Sequence, residues 1–337
     1  MTEMLAARLH IPTRELRMER LPVPEPGPGQ VRIAVRAAGV CLSDAHLYDG
    51  TLTPLWLSDD SVTLGHEVAG VVDALGAGVD AWTVGQRVLL QYAETDLHGK
   101  LLTRGIDYDG GYAEYALASA HTVVPIPDAL PFEQACIVPD AVSTPWAAVS
   151  TTGAVRPGDA AGVWGVGGLG AHGVQLLRLA GAAPVIAVDP LAAARERAVA
   201  LGADVALDPA DPAFRDTVMD LTDGLGLDAA FDFAGVPPVR EQAMTVLGKG
   251  GRLVVVGIAA QPITIPNDAG LCYFGQSVLG QFGSAPEDVH RLVKLIKRGR
   301  LDLSASVSDV LPLSEAQTAL DRLVSKKGDP VRLVLRP

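Results

Sequence analysis

The chain has 337 residues, enough for two domains of ordinary size, with 48% hydrophobic and 20% charged residues. A formal net charge of −12 excludes a broad nucleic-acid surface, which needs clustered Lys and Arg. No apolar run approaches the roughly 20 residues of a membrane helix, and Cys41, Cys136 and Cys272 are too few and too scattered for a disulfide framework. A cytoplasmic protein that binds neither membrane nor nucleic acid is the expectation.

In chain order, the Pro- and Gly-rich segment 22–29 ends in an alternating run, residues 30–37, that predicts a half-buried strand. Segments 68–75 and 87–90 predict further strands, so the first third is a β-rich domain. From about Ser143 the texture changes. Strands are expected near residues 162–164, 184–188, 204–207, 228–233 and 252–256, alternating with helices at 171–180, 192–201, 214–221 and 239–247. That alternation marks a parallel, doubly wound sheet. After Gln281 one helix, 286–298, and a short strand, 331–335, are expected to return to the first domain.

Gly165-Val166-Gly167-Gly168-Leu169-Gly170 fits the G-x-G-x-x-G pattern between a predicted strand and a predicted helix. Two glycines let backbone approach a pyrophosphate, and the third lets helix pack on strand. The helix N-terminus supplies N–H groups and a favourable dipole. Asp189 closes the next strand, where its carboxylate can accept both ribose hydroxyls and would repel a 2′-phosphate. NAD is therefore expected rather than NADP. Arg195, nearby, is expected to face solvent.

Three stretches of the β-rich region carry metal-type donors: Cys41 with Ser43, Asp44 and His46, then His66-Glu67, then Asp140. Taken singly, Cys41 could be a small buried residue, His66 a hydrogen-bonded core histidine and Asp140 a helix cap. Their spacings do not by themselves prescribe a zinc site.

The run Gly65-His66-Glu67-x-x-Gly70, with Gly76 and Val79 following, resembles the zinc alcohol dehydrogenase motif of the medium-chain dehydrogenase/reductase superfamily. The Cys41 segment, the Gly165–Gly170 loop, Asp189 and the closing Pro330-Val331-Arg332 fall in the same order, so the resemblance spans the chain. It implies an α/β protein with a GroES-like catalytic domain, residues 1–142 and 281–337, around a Rossmann NAD-binding domain, residues 143–280. It implies a reversible hydride transfer between NAD and an alcohol, apolar and secondary or aryl, and a homodimer or homotetramer. Cys41, His66 and Asp140 become ligands of one catalytic zinc, with Glu67 an exchangeable fourth. Many relatives have cysteine where this chain has Asp140, but secondary-alcohol dehydrogenases with aspartate there are known. Ser43 and His46 become a proton relay, and Asp44 orients His66. Thr144, Leu169, Gly257 and Ile258 are expected beside the nicotinamide, and Arg332 on the pyrophosphate. Tyr92, Trp56, Leu57 and Trp146 are candidate pocket walls.

The sequence departs from the family at residues 91–111, which lack the cysteines that hold a structural zinc in many relatives and carry Glu94, Asp96, Asp107 and Asp109 instead. A short acidic loop with no second metal is expected. The alternatives are a zinc-free quinone or enone reductase of the same superfamily, which would lack the Cys–His–Glu set, and a non-catalytic cofactor-binding relative.

Overall fold

The computed structural model describes residues 2–337; residue 1, the start of the expected first domain, lies outside them. The chain divides into two compact units, one ending at Asp140 and resuming over Ala285–Pro337, the other Ala141–Ser284.

The first unit is built on the Gln30–Val40 strand. Its apolar residues Val31, Ile33 and Val35 are buried on one face, as the alternation requires. This strand pairs antiparallel with Glu67–Leu75, with Tyr115–Ser119 along its first half, and with Leu333–Arg336 at its end. The register sets Gly39 opposite both Glu67 and Val334, and Val40 opposite Leu333. Three segments distant in sequence thus reach one sheet end, just before Cys41. Strands Glu3–His10, Glu15–Pro22 and Ser61–Thr63 form a smaller sheet. The tail holds two long helices rather than one. Besides Pro286–Lys297 there is Ala316–Val324, whose Ala316, Ala319, Leu320 and Leu323 are buried in the core of this unit.

Residues 91–111 form a hairpin, Ala93–Thr95 paired with Leu101–Thr103. Aspartate side chains hold its turns. Asp96 Oδ1 accepts the amides of His98 and Lys100, at 2.8 and 2.9 Å. Asp107 accepts from Leu55 and Trp56 through Oδ1, at 3.0 Å each, and from Thr103 through Oδ2 at 2.9 Å. Asp109 accepts from Thr63 at 2.8 Å. Carboxylates satisfy backbone donors that irregular chain would leave open.

The second unit is a six-stranded parallel sheet. In order it runs Val205–Leu207, Val185–Val188, Ala161–Trp164, Leu227–Asp232, Leu247–Val255 and Ser277–Gly280. Ala161–Trp164 and Val185–Val188 are buried throughout, which is why they read as unbroken apolar runs. Connections leave Ala161–Trp164 in opposite directions, so the strand order reverses there. Trp164 is level with Val188 and Asp232, and Asp232 with Val255. Loops beginning at Gly165, Asp189, Phe233 and Val256 therefore leave one edge, where ligands of open α/β sheets bind.

Candidate metal and dinucleotide sites

At the end of the central strand of the first unit, Cys41 precedes the helix Leu42–Asp49, and His66 immediately precedes the Glu67–Leu75 strand. Asp140 lies in a wide π-type turn, Val138–Val142, a local irregularity frequent at functional sites. Cys41 Sγ is 3.3 Å from Asp140 Oδ2, and His66 Nε2 is 3.4 Å from the same oxygen. Ligand atoms of all three residues lie within 4.8 Å of one another, and among the described residues they form the one such group able to hold a metal. Tetrahedral zinc with bonds of roughly 2.0–2.3 Å sets its ligands roughly 3.3–3.8 Å apart, so the spacing fits.

The residues around this trio fix its geometry. Asp44 accepts the Cys41 amide (3.0 Å) and the Tyr112 hydroxyl (2.8 Å) through Oδ2, and its Oδ1 lies 3.5 Å from His66 Nδ1. Ser43 Oγ is 3.7 Å from Cys41 Sγ. Glu67 is fully buried, with its carboxylate against Gly39, where any Cβ would stand 1.9 Å from Oε2. Sheet register and the missing side chain together make room for Glu67. Nδ1 of His46 is buried without a hydrogen-bond partner.

Arg332 joins this group from just before the closing strand. Its guanidinium donates to Glu67 Oε1 at 2.7 Å and to the Val40 carbonyl at 3.2 Å, and lies 3.6 Å from Asp140. It is 2% exposed, and its Nε is buried without a hydrogen-bond partner. The pairing of Leu333 with Val40 puts it there.

Electrostatics also fit a cation. Cys41, Asp44, Glu67 and Asp140 converge against a single fixed positive group, Arg332. Burial pushes the Glu67 carboxyl up to about 8, outweighing the pull of Arg332, and Asp140 adds to the rise. Burial works against charge on His66, yet Asp44 and Asp140 hold its pKa well above the usual histidine value. Protons and a divalent metal are alternative answers to the same surplus of negative charge. Cys136, the other nearby thiol, is buried in packing, and burial raises its pKa well above the ordinary range.

In the second unit the glycine loop has the required shape. Gly165 adopts φ +86°, and a Cβ on Gly170 would stand 1.7 Å from the Gly165 carbonyl, so only glycine allows the helix Gly170–Ala180 to start there. A Cβ on Gly167 would project into open space; its backbone, with that of Gly168 and Leu169, is accessible for a phosphate to approach. Asp189 follows its strand and accepts the amides of Val166 and Leu191, each at 2.9 Å. It thereby locks the glycine turn to the next loop. Arg195 is partly exposed but not free in solvent. It is tied to the carbonyls of Asp189 and Pro190 and to Asp208.

Gly257 and Ile258 pack on the Phe233–Val236 turn, where a Cβ on Gly257 would stand 2.2 Å from the Gly235 amide. One ion pair that the sequence did not suggest organises both loops. Asp232, fully buried, accepts the amides of Ala234 and Gly235 at 2.9 Å and Arg240 Nε at 2.7 Å, while Arg240 Nη2 donates to the Gly257 carbonyl at 2.7 Å. Thr144 is buried in the same unit. Of the candidate pocket walls, Tyr92 is buried, whereas Trp56 is 45% exposed with Lys100 Nζ 4.2 Å above its ring.

Comparison with known proteins identifies the family. Residues 27–128 match the model of the alcohol dehydrogenase GroES-like domain, and residues 168–298 that of the zinc-binding dehydrogenases. An NDMA-dependent alcohol dehydrogenase of Amycolatopsis methanolica is 35% identical, over 98% of each chain. The chain belongs to the zinc-binding alcohol dehydrogenases of the medium-chain superfamily. Among solved members of this family, the alcohol dehydrogenase of Aeropyrum pernix is 32% identical with a TM-score of 0.88, over 99% of this chain and all of that one. An NAD-dependent alcohol dehydrogenase is 28% identical with a TM-score of 0.90, over 99% of both.

Proposed function

We propose that Cys41, His66 and Asp140 hold the catalytic zinc of an NAD-dependent alcohol dehydrogenase, with Glu67 as an exchangeable ligand balanced by Arg332. The convergence of a thiol, an imidazole and a carboxylate on one ion-sized space carries this reading. Bound zinc supplies Lewis acidity that eases loss of the substrate's hydroxyl proton, and bound NAD accepts the hydride.

The chain's own residues do the rest. Ser43 takes the hydroxyl proton as it passes its own on toward His46, which, with its buried Nδ1 open, releases a proton to solvent. Loss of that proton and of a hydride from carbon turns the alcohol into a ketone or aldehyde, and the reverse reduces it. Gly165, Gly167, Gly168 and Gly170 cradle the pyrophosphate, Asp189 takes the adenosine ribose, and Thr144, Leu169, Gly257 and Ile258 position the nicotinamide. The up-to-Asp140 and Ala285–Pro337 unit is then the catalytic domain, and Ala141–Ser284 the cofactor domain. The preferred substrate is an apolar secondary or aryl alcohol.

No helix among the described residues is long and apolar enough to cross a membrane. The three free cysteines favour a reducing cytoplasm. A homo-oligomer is favoured by the edge strand Ser277–Gly280, whose neighbours Ile263, Ile265, Tyr273, Phe274 and Phe282 are exposed.

The test is metal analysis beside a panel of alcohols with NAD and NADP. One zinc per chain and NADH formation from secondary alcohols are expected. Metal-free enzyme reducing quinones or enones would instead favour the zinc-free reductases.

A further inference from the structure

Near Asp189 lies a second carboxylate, Asp208, which accepts the Ala210 amide through Oδ1 at 2.9 Å and faces a cation through Oδ2. Arg195 Nη1 donates to the Asp189 carbonyl at 2.8 Å and the Pro190 carbonyl at 2.9 Å, and stands 3.2 Å from Asp208 Oδ2. All three contacts use one terminal nitrogen. Nε and Nη2 have no protein acceptor among the described residues, and the side chain is 23% exposed. Asp208 is 40% exposed and follows the Val205–Leu207 strand, which runs beside Val185–Val188. Arg197 differs: its Nε and Nη2 both donate to the Val166 carbonyl, at 3.3 and 2.7 Å, so it supports the glycine turn.

A guanidinium with two open donors, held on the loop that carries the ribose-binding carboxylate, has the chemistry of a phosphate clamp. Asp189 opposes a 2′-phosphate, but both its oxygens already accept backbone amides, which spreads its charge. Asp208 has one ion-pair partner, Arg195, and cancels its charge.

We propose that Asp208 is a specificity-determining residue: by occupying Arg195 it suppresses a latent adenosine 2′-phosphate subsite and enforces NAD over NADP. This rests on the assignment of Asp189 to the adenosine ribose. It gives Arg195 two states. Paired with Asp208 it braces the Asp189–Pro190 loop, and released it turns its open edge to a phosphate monoester.

The experiment is equilibrium binding by calorimetry, with no turnover involved. The probes are adenosine 5′-monophosphate and adenosine 2′,5′-bisphosphate, which differ only in the 2′-phosphate. They are titrated into the wild type, Asp208→Asn and Asp208→Asn/Arg195→Gln. Asp208→Asn is expected to tighten the bisphosphate about tenfold, the factor one charge-assisted hydrogen bond carries, and to leave the monophosphate unchanged. Adding Arg195→Gln should abolish the gain. An unchanged bisphosphate affinity in Asp208→Asn overturns the proposal, as does a gain that survives Arg195→Gln, which would reflect net charge alone. Failure of every variant to bind the monophosphate would instead strike the ribose-site assignment, and the proposal with it.

Discussion

At the scale of single residues, the metal centre depends on an atom that is not there. Gly39 lies opposite Glu67, and the missing methyl is the space the carboxylate fills. Gly39→Ala should expel Glu67 and lower zinc occupancy severalfold while the second unit keeps its affinity for NADH. Metal analysis and NADH fluorescence read the two effects separately, and full zinc content in the variant would contradict the account. His46 makes a different demand. Its substitution by glutamine removes a proton carrier but no ligand, so zinc content should be unchanged while kcat falls roughly a hundredfold, the lower end for positioned acid–base groups. Restoration of the rate by added imidazole would show that proton transfer is what was lost.

At the scale of elements, two substructures are organised by carboxylates. Asp107 ties the 91–111 hairpin to the amides of Leu55 and Trp56 and closes on the hairpin's own Thr103 amide. Asp107→Ala should cost about 1–2 kcal/mol, as lost caps do, and speed limited proteolysis within that hairpin without changing zinc content. The Asp232–Arg240 pair is fully buried, so Arg240→Leu leaves an uncompensated charge that costs about 3–5 kcal/mol. A lowered melting temperature with weakened NADH binding is the expected readout.

Legibility in the sequence followed the same division. The Gln30–Val40 strand and the βα alternation could be read because one strand alternates and the buried parallel strands are continuously apolar. The Ala316–Val324 helix carries its apolar residues at helical spacing, but no side chain caps its start, and packing on the core supplies the rest. Asp140 gained meaning only from the family's order of motifs, since an aspartate before a helical segment is usually a cap. The pairing of Arg332 with Glu67 gave no signal, because the two are 265 positions apart and are brought close only by strand register. Asp232 and Arg240 gave no signal: an ordinary acid and base eight positions apart are no sign of a buried pair.

At the scale of the whole molecule, each unit has its own core and holds its own candidate site. Stabilisation by a ligand should therefore be regional. Hydrogen exchange should slow chiefly within Ala141–Ser284 on adding NADH. Stripping zinc should speed exchange around Cys41, His66 and Asp140. Uniform changes across the chain in both experiments would contradict independent sites.

The placement of the Leu333–Arg336 strand against the end of Gln30–Val40 has a consequence for biogenesis. Arg332 reaches the Val40 carbonyl across 292 positions of sequence, so a nascent chain on the ribosome has every candidate zinc ligand long before it has the counter-charge for Glu67. The intervening Ala141–Ser284 segment can condense while the first unit waits with an open sheet edge. Deletion of residues 326–337 should then be as damaging to metal retention as loss of a ligand.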